Sequence, residues 1–146
     1  MIFEKEMFTI LIRLSIAAVL SAIIGYERQL KQESAGLRTH MLVCVGSTLF
    51  TVVGMYGFGG DPARIAAGIV TGIGFLGAGT IMASGGHVKG LTTAASVWAT
   101  AAIGLAVGVG YYFAALITTI LVIVILELWR LEYKAGLKGR TLKEVE

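Results

Sequence analysis

Three glycines, Gly72, Gly74 and Gly77, stand in the spacing G-x-G-x-x-G inside "GIVTGIGFLGAGTIM". A loop of that pattern can hold a dinucleotide pyrophosphate against its backbone N–H groups. The same chemistry needs a strand before the glycines, a helix after them, and an acidic residue about 20 positions on for the ribose. No carboxylate occurs between Asp61 and Glu127, and the flanks are rich in alanine and glycine. The nucleotide reading therefore lacks its context. Few other residues could do chemistry. Arg13 lies about two turns into an apolar stretch, where an arginine either snorkels outward or serves a function, with Asp61 as an available partner. In "GGDPARIAAGIV", Asp61 suits a helix N-cap, Pro62 the first helical position, and Arg64 follows within the first turn. Glu27, Arg28, Lys31, Glu33, Arg38 and Lys89 fall between apolar stretches, with Glu127 and Arg130 closing the last one. Such a cluster meets water, lipid phosphates or a protein partner. His40 and His87 stand far from acidic neighbours in sequence and read as interfacial or loop residues. Cys44, the single cysteine, reads as a buried thiol. No nucleophile, base and metal ligands cluster, so neither an enzyme, a metal centre nor a resident cofactor is expected.

These residues must be positioned by elements suited to lipid. Of 146 residues, 56% are hydrophobic and 14% charged, with a mean hydropathy of +0.83. Soluble domains carry a much more charged shell. Charges are missing from Leu14 to Tyr26, Thr39 to Gly60, Ile65 to Gly86 and Gly90 to Leu126. The last window would make a helix of roughly 55 Å, nearly twice the hydrocarbon thickness, so it holds two spans with a turn near "GVGYY". The expected fold is an all-α membrane protein, a five-helix transmembrane bundle over residues 1–128. Its spans run from Met7 to Tyr26, Thr39 to Tyr56, Ala63 to Ala83, Thr93 to Val109 and Tyr112 to Leu128, and a short basic tail covers 129–146. Glu4 and Glu6 spoil the basic start of a signal peptide, so the first span is expected to stay. Five spans put Arg28, Lys31, Arg38, Lys89, Arg130, Lys134, Lys138, Arg140 and Lys143 on one side, leaving Lys5, Arg13 and Arg64 on the other. The positive-inside rule then sets the N-terminus outside and the C-terminus in the cytoplasm. Tyr56, Tyr111 and Tyr112 fall at the outer interface and Trp129 at the inner one.

At about 100° per residue, Gly68, Gly72 and Gly79 share one stripe of the third helix, and Gly74 and Gly77 lie opposite. In the fourth, Ala94, Ala101 and Gly108 recur seven apart with Gly104 beside them. Small residues let membrane helices approach closely, so these faces are expected to pack against neighbours, with the third helix sandwiched. Glycine also permits broken helices at transporter sites, the functional alternative.

Three blocks in order, "GYERQLKQESAGLRTHMLVCVGS", "GDPARIAAGIVTGIGFLGAGTIM" and "GLTTAASVWATAAIGLAVGVG", resemble the membrane domain of the MgtC/SapB family. The likeness covers about Gly25 to Gly110. The matching residues are Glu27, Arg28 and Gln29, then Gly36 to His40, then Asp61, Pro62 and Arg64, then Gly90 to Ala95. The resemblance implies a bacterial inner-membrane protein linked to growth at low magnesium. It implies partners among lipids and other inner-membrane proteins, the F-type ATP synthase included, with self-association into a homo-oligomer and no nucleic acid. Two features depart from the family pattern. Only about 18 residues follow Leu128, where many members carry a soluble cytoplasmic domain. Thr92 replaces a frequent Asn, and Gly68 a frequent Gln. The likeness is nearer the short SapB-like branch, and no virulence role is transferred. The expected function is an accessory or regulatory factor in magnesium homeostasis, with a small oligomeric ion transporter or channel as the alternative. Magnesium prefers octahedral oxygen coordination, usually with carboxylates, which this interior hardly supplies.

Overall fold

The computed structural model describes residues 2–57, 61–84 and 87–128. Its elements are α1 (Ile2–Leu30), α2 (Leu37–Tyr56), α3 (Pro62–Ala78), β1 (Met82–Ser84), β2 (His87–Lys89), α4 (Leu91–Val109) and α5 (Tyr112–Glu127). The basic tail and Trp129 lie outside the described residues. Among the described residues, three helices are long and apolar enough to cross a membrane: Met7–Leu30 within α1, then α2 and α4. With 17 and 16 residues, α3 and α5 reach roughly 25 Å at about 1.5 Å per residue, just short of the hydrocarbon thickness.

Helices α1, α2 and α4 form the centre, α5 packs on α1 and α4, and α3 lies at the edge against α4 and α2. Ala17, Leu20 and Ile24 of α1 meet Cys44 of α2, Ile103 and Val107 of α4, and Ala115 and Leu126 of α5. A smaller cluster joins Ile73 of α3 to Val97 and Ala101 of α4 and to Ala35. The buried faces carry many hydroxyls, among them Ser21, Ser47, Thr48, Thr51, Thr93, Ser96, Thr100 and Thr119, while Phe8, Phe50, Phe75 and Phe113 are exposed. This reversal suits a hydrocarbon solvent. Large apolar side chains gain nothing by hiding from lipid, whereas hydroxyls need partners and small residues let helices close up.

Local signals set the helix ends. Asp61 accepts a hydrogen bond from the Ala63 N–H at 2.9 Å, with Pro62 opening α3. Gly110, at φ 99°, closes α4 in the left-handed conformation, its N–H reaching the carbonyls of Ala106 and Val107. The exit of α3 differs from the expected span to Ala83. The helix stops at Ala78, and both the N–H and the hydroxyl of Thr80 turn back onto the Gly77 carbonyl. The chain then enters an antiparallel ribbon, pairing Met82 with Lys89, Ala83 with Val88 and Ser84 with His87. Gly90 returns it to α4 at φ 90°, with the Thr80 carbonyl where a side chain would stand. Only glycine fits that junction.

Candidate functional site

At the ribbon end of the bundle, the last turn of α1 builds an ion network. The Arg28 guanidinium is 3% exposed. It donates to both carboxylate oxygens of Glu27, from Nε at 2.5 Å and Nη2 at 2.8 Å, and its Nη1 lies 3.6 Å from Glu33. Bidentate pairing of this kind fixes geometry as well as charge. Lys31 bridges Glu27, one turn earlier, to Glu127 at the end of α5 at 3.1 Å, and also donates to the Leu126 carbonyl. Glu33, in the α1–α2 connection, accepts from the Thr93 hydroxyl of α4 at 2.9 Å. Five charged side chains therefore tie α1, α4 and α5 together at one end.

From Thr93 a hydroxyl seam runs up the α2–α4 contact. The Ser96 hydroxyl lies 2.8 Å from the Thr93 carbonyl and 3.1 Å from His40 Nε2. His40, at 0% exposure, donates from Nδ1 to the Gly36 carbonyl at 2.9 Å, since a carbonyl can only accept. Nε2 faces the Ser96 hydroxyl, whose single proton the ring nitrogen and the Thr93 carbonyl compete for. Ser47 donates to the Ala101 carbonyl at 2.7 Å and Thr48 to the Gly104 carbonyl at 2.8 Å, while Thr51 and Thr100 bond back within their own helices. Gly104 and Gly108 make room for this contact. A side chain at Gly104 would meet the Cys44 carbonyl, and one at Gly108 the Thr51 side chain.

At the opposite end Arg13 pairs with a backbone carbonyl rather than with Asp61, the partner the sequence offered. It is 9% exposed, donates from Nη1 to the Gly108 carbonyl at 2.6 Å, and lies 5.9 Å from the Tyr56 ring centroid. Gly108 belongs to the last turn of α4, where the helix dipole is negative and carbonyls lack intrahelical partners. Asp61 is exposed and occupied with its cap. Arg13 is thus the cation that closes α4 from another helix. Arg13→Leu is expected to cost about 1–2 kcal/mol by leaving that carbonyl unmatched, a fall in Tm of roughly 3–6 °C for a chain of this size. Arg13→Lys should recover part of it, and equal Tm values for the leucine variant and wild type would remove the capping role.

The other sequence candidates scatter. Arg38 and Thr92 are exposed near the ribbon end, Lys89 is exposed on β2, and Arg64 is exposed on the first turn of α3. Arg28, grouped with Arg38 by sequence, is separated from it by burial. His40 is an interior residue, correcting its interfacial reading, and Cys44 is buried on the same helix. The sandwiched third helix is also corrected. No atom lies within 4 Å of a side chain built at Gly68, Gly72 or Gly74, whereas Gly77 rests on Ala94 at 3.6 Å. Gly79 sits past the helix as its C-cap. α3 meets its neighbours along one side, so the stripe of Gly68 and Gly72 is open, and of the opposite pair Gly77 is covered while Gly74 is not. The hydroxyls of Thr93, Ser96 and Thr100 with those of Ser47, Thr48 and Thr51 were the functional-site residues missed. Their recurrence three and four apart on two apolar helices was the available signal.

The sequence around this site is shared with known proteins. YhiD of Escherichia coli (strain K12), described as a candidate magnesium transporter, is 45% identical over 128 residues, covering 82% of this chain and 60% of YhiD. Protein MgtC of Salmonella typhimurium (strain LT2) is 48% identical over 117 residues, covering 80% of this chain and 51% of MgtC. The uncharacterized protein slr0014 of Synechocystis is 45% identical over 115 residues, 78% of this chain and 49% of that protein. The chain spans about half to three fifths of the length of these relatives. No solved structure matches it. Residues 14–133 match the MgtC family, a stretch that holds the ion network, the hydroxyl seam and all but the start of α1, and this chain belongs to that family.

Proposed function

We propose that this protein is an accessory or regulatory factor in bacterial magnesium homeostasis, set as a five-span bundle in the inner membrane with its ribbon end toward the cytoplasm. It acts there through contacts with other membrane proteins. The observation that carries this reading is the use of the interior polar groups. The buried hydroxyls along α2 and α4 spend their protons on carbonyls, on His40 or, for Thr93, on Glu33, and the partly buried carboxylate of Glu27 is held by Arg28 and Lys31. Such a seam holds helices together; a hydrated divalent cation needs oxygen ligands free to face it. Asp61, the one carboxylate between Glu33 and Glu127, caps α3. Among the described residues, the exposed Arg38 and Lys89 and the open Gly74 position of α3 are surfaces available to partners. The F-type ATP synthase is one partner compatible with the family, and a second copy of this chain is another.

Arg38→Ala is expected to accumulate and melt like wild type while failing to restore growth of a deletion strain at low magnesium. Normal growth with this variant would separate Arg38 from function. The name carried by YhiD supports a second reading, transport. Purified protein in liposomes loaded with a magnesium-sensitive dye tests both. No protein-dependent influx is expected, with an authentic magnesium channel as positive control. Saturable influx lost in Asp61→Ala would establish transport instead.

A further inference from the structure

Between α2 and α3 runs a groove of about 540 Å³, apolar along nearly all of its length. Its walls meet where Ile65 seats against Gly54, and Arg64 lies at that same end. From there the groove passes Gly46 of α2 and Gly68 and Gly72 of α3, none with a neighbour within 4 Å of an added side chain, and it ends at Leu42 and Leu76. Phe50 and Leu76 on its rim are exposed. Arg64 is exposed, and among the described residues it enters no ion pair.

We infer that this groove holds one acyl chain of a membrane phospholipid, whose phosphate is bound by Arg64. Length supports the assignment. From Arg64 to Leu76 along α3 is roughly 18 Å at about 1.5 Å per residue, close to the depth of one leaflet, half of about 30 Å. Charge supports it too. An apolar slot ending at a single unpaired cation matches an apolar chain ending in a phosphate. A helix from a second copy would bring an apolar surface, but Asp61, the carboxylate nearest Arg64 in sequence, already has its oxygen capping α3. The missing side chains at Gly46, Gly68 and Gly72 are then the space in which the acyl chain lies. The assignment is independent of the proposed function.

The test is native mass spectrometry of the full chain released from mild detergent, with bound phospholipid counted per chain. Wild type is expected to retain one. Gly72→Leu and Gly46→Leu fill the groove from opposite walls and should lower occupancy at least fivefold. Arg64→Ala should lower it comparably, and Arg64→Lys by much less. Gly74→Leu, on α3 but outside the groove, should keep the lipid. Monodisperse elution and unchanged helicity show that each variant is folded; if one wall variant fails to fold, the other and Arg64→Ala still decide the matter. Equal occupancy in all folded variants, or no retained lipid in wild type, overturns the assignment. Loss of self-association in the wall variants with occupancy unchanged gives the groove to a second copy and overturns it as well.

Discussion

Gly108→Leu is expected to abolish most folded protein, with a fall in Tm of about 10 °C or more in whatever remains. The reason lies at the α2–α4 crossing. A side chain at position 108 begins 2.5 Å from the Thr51 Cβ and 3.0 Å from the Thr48 carbonyl oxygen. Neither partner is the end of a flexible chain, so the helices must separate. Overpacking of this kind costs about 1–3 kcal/mol on its own. Separation also stretches the bonds from Ser47 to Ala101 and from Thr48 to Gly104, each worth roughly 0.6 kcal/mol in a membrane setting. Gly74→Leu is the matched control, because nothing lies near that position. Thermal unfolding in mild detergent compares the two. Similar Tm values would mean that the α2–α4 contact gives way easily.

A comparable loss is expected from Arg28→Met. Removing the guanidinium strands the partly buried Glu27 carboxylate, which keeps only Lys31, and takes the neighbouring cation from Glu33. Breaking a buried pair from one side typically costs about 3–5 kcal/mol, whereas replacing both partners costs much less. The double variant Glu27→Gln with Arg28→Met should therefore be more stable than Arg28→Met alone. Arg38→Ala, one helix away and exposed, should hardly change Tm. If the double variant is the least stable of the three, the network holds less than its geometry suggests.

Much of the architecture was legible in the distribution of charge. Spans expected from Thr39, Thr93 and Tyr112 correspond to helices that begin at Leu37, Leu91 and Tyr112, because charged or glycine-rich stretches bracket them. The exit of α3 was not legible. The charge-free window runs on to Gly86, and absence of charge cannot distinguish a helix from a short apolar ribbon. What ends the helix is Thr80 folding onto Gly77 and the close approach at Gly90, both tertiary in origin. The glycines show the same limit. Their period displays which residues share a face, but α4 covers the face holding Gly77 and leaves Gly68, Gly72 and Gly74 open. Which face is covered depends on where α3 docks. His40 was misplaced for a related reason. Its partner Ser96 is 56 residues away, and a search for acidic residues nearby in sequence passes over a hydroxyl on another helix.

The bond from Arg13 to the Gly108 carbonyl spans 95 residues, and the one from Lys31 to Glu127 spans 96. A ribosome adding about 5–20 residues per second needs roughly 5–20 s to cover that distance. Throughout that interval the nascent chain has a guanidinium in its first apolar segment and no α4 to receive it. The segment must wait with Arg13 drawn toward the headgroups, or against the insertion machinery, until the fourth helix emerges. A chain that terminates before α4 never leaves this state. The same arginine that closes the finished bundle thus stays without its carbonyl partner in an unfinished one.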